Sequence, residues 1–476
     1  MSKIPYITTA IPYVNGTPHV GHALDYLLAD VYCRFYDMHG TKVRFQAGTD
    51  EHGNKIYNKA LSLGIPVEQY VDDNAQLFRD FITKLGVEPT DFIRTSDPKH
   101  QQRVQEIWRR VKEHIYPSTY DGWYCAGCEG FITEKEYEEN HGICPDHQTP
   151  YERLSEKNYY LRISDFKERI QSAIESGDMQ ILPEFRKREI LKLLENSPDV
   201  SISRPKKNIS WGIPVPEDEE QVMYVWMDAL ANYITVLGYP EQDISEYWPA
   251  DVQFVGKDIL RFHAIIWPSI LLALGLPLPK VILSHGHIFV DGQKMSKSIG
   301  NVVDPNEIID KYGLDPFRYY FLRHVDTFED SDFTWDKFDS AYSGELANDL
   351  GNLVQRLAVL SSKNAISITS SDHAEIKQKA LVDQNYCQYM NNLNFSKAFD
   401  YTWSLIQDLN KEINDKQPWA IAKTDPEKAK DILIDLDKKL LLANQLLIPF
   451  LPETAAKIQA VFGEKITIPS PLFPKQ

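Results

Sequence analysis

Ile4-Pro5-Tyr6-Ile7-Thr8-Thr9-Ala10-Ile11-Pro12-Tyr13-Val14-Asn15-Gly16-Thr17-Pro18-His19-Val20-Gly21-His22 opens the chain with a short β-rich run, a turn built on Asn15-Gly16 and the start of a helix. Residues 4–10 predict a strand and residues 18–38 a helix, with Thr17 as its N-cap and Pro18 in its first turn. A second strand is expected over 42–47, running into Gly48-Thr49-Asp50-Glu51-His52-Gly53. Strand, turn, helix and strand in that order begin an α/β fold with a doubly wound parallel sheet, Rossmann-like in class.

Working outward, 252–255 and 281–284 predict two more strands, with helices over 259–274 and 305–312. Residues 115–225 differ: they hold three of the chain's five cysteines, many Glu and Tyr, and short irregular elements. After 336 the strand signals stop. Leu346, Leu350, Leu353, Leu357 and Leu360 recur at helical spacing, as do apolar positions over 395–413 and 432–448. The expected organisation is a first catalytic half (1–114), a connective insertion (115–225), a second catalytic half (226–335) and an all-α bundle (336–476).

The composition is ordinarily globular: of 476 residues, 43% are hydrophobic, 25% charged and 12% aromatic, which excludes general disorder. A net charge of −17 excludes a basic nucleic-acid coat. A local basic track stays open, at Trp108-Arg109-Arg110-Val111-Lys112 or Arg204-Pro205-Lys206-Lys207, though such short runs also occur as solvated faces. No secretory leader or membrane span is expected, since the apolar stretch 264–279 is short and interrupted by prolines. Five cysteines do not make a disulfide framework, so a cytoplasmic protein is expected.

His19 and His22, three apart at a helix start, lie on one face of its first turn, beside backbone amides that attract anions. Imidazoles there suit phosphate oxygens, and Gly21 leaves room for a flat base. By spacing alone the pair also fits half a metal site. Gly292-Gln293-Lys294-Met295-Ser296-Lys297-Ser298-Ile299-Gly300-Asn301 offers lysines and hydroxyls between glycines. Such a loop can close over a triphosphate, where removing one donor typically costs ~10²–10³ in rate; in isolation it also reads as an exposed basic hairpin. A Walker-type phosphate loop is absent from the sequence.

Together, the His-x-Gly-His helix start, the Gly-Thr-Asp-Glu-His-Gly turn and the Lys-Met-Ser-Lys-Ser loop resemble the signatures of class I aminoacyl-tRNA synthetases. The context from Ile11 to His22 resembles the methionyl family within that class, with Val20 where Ile is commoner. The resemblance covers nearly the whole chain. It implies that His19, Gly21, His22, Lys294, Ser296 and Lys297 bind ATP with Mg²⁺, and that His19, His22, Lys294 and Lys297 stabilise the transition state of amino-acid adenylation.

Cys125-Ala126-Gly127-Cys128 and Cys144-Pro145-Asp146-His147, with 15 residues between Cys128 and Cys144, have the spacing of a closed tetrahedral zinc site. Cys125, Cys128, Cys144 and His147 are the expected ligands of one structural Zn²⁺, with His141 as an alternative fourth. So small an insertion leaves no room for an editing domain, needed where substrates differ by a methylene worth ~1–3 kcal/mol.

A methionine site needs an anion for the ammonium and an aromatic slot for the thioether, since sulfur–aromatic contacts contribute ~0.3–1.5 kcal/mol. Trp226, Ala229 and Tyr233 share one helix face, and Phe262, His263 and Trp267 follow another strand; either group can also be plain core. The resemblance assigns the pocket to Ile11, Tyr13, Asp50, Trp226, Ala229, Tyr233, His263 and Trp267, with Asp50 on the ammonium and Asp258 in support. It likewise implies that Asn352, Arg356 and Trp419 read a CAU anticodon, where each stacked base is worth ~1–3 kcal/mol.

The expectation is therefore a methionine–tRNA ligase, with L-methionine, ATP and the acceptor end and anticodon of tRNA(Met) as partners, no membrane contact and a monomeric state. Two alternatives remain at this level: an adenylate-forming enzyme that does not use tRNA, and a catalytically silent RNA-binding scaffold.

Overall fold

The structure, a computed structural model, describes residues 3–125, 130–145, 148–209, 211–295 and 301–474. Six strands form the central sheet: β1 (Tyr6–Thr9), β2 (Arg44–Thr49), β3 (Asp91–Arg94), β4 (Gln180–Leu182), β5 (Val252–Gly256) and β6 (Val281–His285). Their order is β3-β2-β1-β5-β6-β4, and every neighbouring pair is parallel. The chain winds outward from β1 through β2 to β3, then returns to lay β5 against β1's other edge. That reversal is the switch point beside which open α/β sheets bind ligands.

Both faces of this sheet are covered, as an all-parallel sheet requires. Ile7 and Phe254 belong to one buried cluster and Tyr6 and Val255 to another, the period-two alternation of a strand. Helix α1 (Val20–Met38) buries Ala23, Leu24, Leu27, Leu28 and Val31 against the first face. On the second face lie α2 (Pro98–Arg110) and α3 (Val225–Thr235). Strand β4 lies inside the stretch read as an insertion, and closes one edge of the sheet by pairing with β6. Around it, Ile115–Cys125 and Glu152–Leu161 form a long antiparallel hairpin in a second, four-stranded sheet.

After α4 (Leu314–Arg323), the C-terminal part is helical as expected, and includes α5 (Asn352–Lys363), α6 (Phe395–Lys416) and α7 (Pro426–Leu447). The leucine pattern is not one regular helix, however: Ala341–Gly351, which carries Leu346 and Leu350, is π-helical and leads directly into α5. One continuous apolar cluster runs from the sheet into these helices. Arg318, fully buried on α4, fastens the junction by donating to the Phe450 and Pro449 carbonyls at 2.7 and 2.9 Å and pairing with Asp30 of α1 at 2.7 Å. Among the described residues, no helix is long and apolar enough to cross a membrane.

Candidate active site at the sheet switch point

Beyond the end of β1 the chain turns across the sheet. The Ala10 amide donates to Phe254 of β5 at 3.0 Å, while Asp50 donates to Pro12 at 2.9 Å and accepts from Val14 at 3.1 Å. Tyr13 and Asp50 thereby form a parallel bridge just past the carboxyl ends of β1 and β2. Ile11 lies over Gly48, where a Cβ would meet its side chain at 3.0 Å. Three of the expected methionine-site residues are thus gathered at the switch point.

The start of α1 differs from expectation in one instructive respect. The N-cap is His19, not Thr17, and Pro18 lies before the helix. The His19 Nδ1 accepts from the Gly21 amide at 3.1 Å, and the His22 Nδ1 accepts from the His19 amide at 3.2 Å, a reciprocal capping box built from two imidazoles. An Nδ1 that accepts carries no proton, so each neutral ring bears its N–H on Nε2, the end away from the backbone. The rings stack at 3.9 Å between centroids, and His22 packs edge-on against Phe78. A Cβ at Gly21 would press into the His19 ring at 2.9 Å, which explains the glycine.

The same hypothetical Cβ would lie 3.9 Å from the Met295 methyl, so Met295 arrives beside the histidine pair. Its approach is fixed by a hairpin, Ile288–Val290 against Gln293–Lys294, turned through Asp291 and Gly292 with φ of 50° and 72°. Positive φ at both positions is the geometry of a type I′ hairpin turn. The Asp332 carboxylate anchors that turn by accepting from the Gly292 amide at 2.7 Å. The Lys294 side chain, Ser296 and Lys297 lie outside the described residues.

Helix α3 and a π-helical turn, Phe262–Ile266, supply an aromatic wall. Trp226 stacks on Phe262 at 3.8 Å and 9°, and Tyr233 packs against Trp267. His263 is bonded at both nitrogens, its Nδ1 to the Ile259 carbonyl at 3.0 Å and its Nε2 to the Tyr233 hydroxyl at 2.7 Å. Burial pushes its pKa down to about 4, so the imidazole is neutral at physiological pH and Tyr233 is the donor. Ala229, Tyr233, His263 and Trp267 are all buried. The wall is uncharged, as a thioether slot requires. Asp258 lies further out beside His287, which outweighs the opposing effect of burial and holds its carboxyl down to about 2.

A buried relay joins this wall to the Asp50 turn. Asp228 of α3 accepts from His52 at 2.6 Å and from His100 of α2 at 2.7 Å, and the His100 Nδ1 meets the Thr235 hydroxyl at 2.7 Å. Burial opposes ionisation of Asp228, yet the two imidazoles hold its pKa below the ordinary value. Trp211 packs on His52 and donates to the Glu51 carbonyl at 2.6 Å. The sequence alone assigns no part to His52 or Asp228, and holds no signal for His100 or Trp211.

Two further groups of expected residues are placed as follows. Cys125 and Cys144 are buried together with Tyr151 in one small cluster, flanked by the stacked rings of Trp123 and Tyr137. Cys128 and His147 lie outside the described residues, and among the described ones no group of three metal-ligand side chains occurs. In the helical part, Asn352, Arg356 and Trp419 line one cleft of about 620 Å³. The Arg356 guanidinium lies 4.4 Å from the Trp419 ring centroid and donates to Asn414 at 2.7 Å.

The chain that builds this switch-point site with its paired histidines matches, over residues 5–154 and 146–358, the family model described as tRNA synthetases class I (M). Residues 365–471 match a second, described as the anticodon binding domain of methionyl tRNA ligase. The methionine–tRNA ligase of Caldanaerobacter subterraneus subsp. tengcongensis is 40% identical, over 97% of this chain and 74% of its own length. That of Brucella suis biovar 1 is 36% identical, over 99% and 97%. Mycobacterium tuberculosis methionyl-tRNA synthetase in complex with methionyl-adenylate superimposes with a TM-score of 0.91 at 33% identity, covering 99% of this chain and all of that one. The chain belongs to the methionyl-tRNA synthetase family.

Proposed function

We propose that this protein joins L-methionine to tRNA(Met) in two steps. The methionine carboxylate attacks the α-phosphorus of ATP, forming methionyl-adenylate and releasing pyrophosphate; the methionyl group then passes to the terminal adenosine of the tRNA. The observation that supports this reading is the approach of the Met295 methyl to Gly21, between the two histidines at the switch point. The adenylate held by the Mycobacterium tuberculosis relative agrees with it.

In this reading the Nε2–H groups of His19 and His22 donate to ATP phosphates, Gly21 faces the base, and Lys294, Ser296 and Lys297 stabilise the charge that develops as pyrophosphate leaves. Mg²⁺ enters with ATP and neutralises part of the triphosphate charge. Asp50 binds the methionine ammonium, while Ile11, Tyr13, Trp226, Ala229, Tyr233, His263 and Trp267 enclose its side chain. The reacting atoms are brought together without a covalent enzyme intermediate, so positioning and charge stabilisation supply the rate. Asn352, Arg356 and Trp419 receive the CAU anticodon, with Trp419 as a stacking surface. The protein acts in the cytoplasm as a monomer.

The insertion is read as binding one structural Zn²⁺ through Cys125, Cys128, Cys144 and His147. The fit rests on Cys125 and Cys144, two buried thiols brought into one cluster from segments 19 residues apart. Metal analysis of the purified protein is expected to give one zinc per chain, lost in Cys144→Ser. A metal-free, fully active wild type would remove the ion from the reading.

ATP–pyrophosphate exchange against all twenty amino acids, without tRNA, tests the activity itself. Exchange with methionine alone is expected. Strong exchange with another amino acid would overturn the pocket assignment, and no exchange from folded protein would favour an RNA-binding scaffold.

A further inference from the structure

The two basic runs noted in the sequence have opposite fates in the fold. In the first, Trp108 is buried, Arg109 and Arg110 reach Glu106 at 3.6 and 3.2 Å, and Lys112 reaches Glu217 at 3.2 Å. Each cation there already has a carboxylate. In the second, Arg204 turns inward, buried over the Tyr224 ring and bonded to Ser201 at 2.7 Å. Lys206 and Lys207 are exposed, and neither makes an ion pair among the described residues.

Their position is what distinguishes them from ordinary surface lysines. They begin a strap, described over residues 206–209 and 211, that is fastened to the segment 51–54 just after Asp50. Its near end is held by the Lys206 amide on the Glu220 carbonyl at 2.8 Å, and a turn follows in which the Asn208 amide donates to Pro205 at 2.8 Å. The Asn208 carbonyl then accepts from Asn54. Trp211 closes the strap: its carbonyl accepts from Gly53 at 3.0 Å and its indole donates to Glu51 at 2.6 Å. Two lysines are therefore presented at the rim of the amino-acid site by backbone fastened to that site. On a chain of net charge −17, an RNA end approaching this rim meets general repulsion. Local cations without internal partners lower that barrier where phosphates must pass.

We propose that Lys206 and Lys207 form a phosphate-contacting surface for the acceptor end of the tRNA as it enters the site. This rests on the ligase reading above, and deepens it by separating the determinants of the second step from those of the first. Phosphate contacts of this kind are independent of base identity and sensitive to salt.

The test compares Lys206→Glu/Lys207→Glu, and the neutral Lys206→Ala/Lys207→Ala, with wild type in two assays. Methionine-dependent ATP–pyrophosphate exchange, which needs no RNA, should be retained and so reports folding and the first step. Aminoacylation kcat/KM for tRNA should fall roughly tenfold or more in the Glu pair and less in the Ala pair. In both pairs the dependence of log affinity for tRNA on log salt should flatten by about 1 to 2 units, as expected for losing two phosphate contacts. Unchanged aminoacylation in the Glu pair would overturn the inference, as would an equal loss in both assays, which would place the strap in the first step. Failure of wild type itself to exchange would overturn the ligase reading and this inference with it.

Discussion

Replacing His19 with asparagine is expected to slow methionine-dependent ATP–pyrophosphate exchange by roughly 10²–10³-fold while leaving thermal stability nearly intact. The separation follows from the two ends of the ring. Its Nδ1 caps α1 by accepting from the Gly21 amide, and an asparagine oxygen at the same distance from the backbone can do likewise. What asparagine lacks is the distal Nε2–H assigned to ATP phosphate. His19→Ala loses both ends, so it should also forfeit about 1 kcal/mol of stability through the lost cap. Comparing exchange rates with melting temperatures for the two variants checks the assignment. An active His19→Asn enzyme would show the distal nitrogen to be dispensable and leave His19 only its capping duty.

Removing the carboxylate of Asp228 is expected to have the largest effect on stability. Asp228→Ala leaves His52 and His100 facing each other in a dry interior, and breaking a buried charge-paired network in this way typically costs about 3–5 kcal/mol. Because His52 lies two residues from Asp50 and Asp228 is adjacent to Ala229, the KM for methionine should rise with the loosening of the wall. Asp228→Asn is gentler: its amide presents an NH2 donor group to one imidazole and a carbonyl acceptor to the other, so one imidazole must change tautomer. The pH dependence distinguishes charge from packing. The Asp228 carboxyl titrates below its ordinary value of about 3.9. Its contribution is therefore complete above that pH and disappears as pH falls through the depressed folded-state value. Denaturant unfolding of wild type and Asp228→Asn should differ at neutral pH and converge in acid; a constant difference would mean that the carboxylate contributes shape rather than charge.

Much of this site is written locally. His19, Gly21, His22 and the Asp50 turn follow strands whose β-rich runs are short and clear, and the sheet's switch point brings them together. The cap falls on His19 and not on Thr17, an ordinary N-cap residue, because an imidazole has the same reach from its Nδ1, although it is not expected there. The π-helical segment 341–351 escaped because leucines three and four apart over a few turns do not distinguish i→i+4 from i→i+5 bonding. Strand β4 is only Gln180–Leu182, too short to show alternation. His100 had no local signal at all: its partners, Asp228 and Thr235, lie 128 and 135 residues away and meet it only when α2 packs on α3. The cleft of Asn352, Arg356 and Trp419 was reached through resemblance, since a pair four apart on a helix and a distant tryptophan imply no common surface by themselves.

The pairing of β1 with β5, Ile7 against Val252, spans about 245 residues, and its effect is felt first on the ribosome. Strand β1 emerges before β5, and one of its edges has no partner until residues 252–256 have been made. At roughly 5–20 residues per second, that edge waits about 10–50 s. During that interval Ile7 and the apolar side of α1 lack the cover that Phe254 and the later helices supply. The nascent half-domain is a natural client for a chaperone, and slow codons placed just before β5 would prolong its vulnerability.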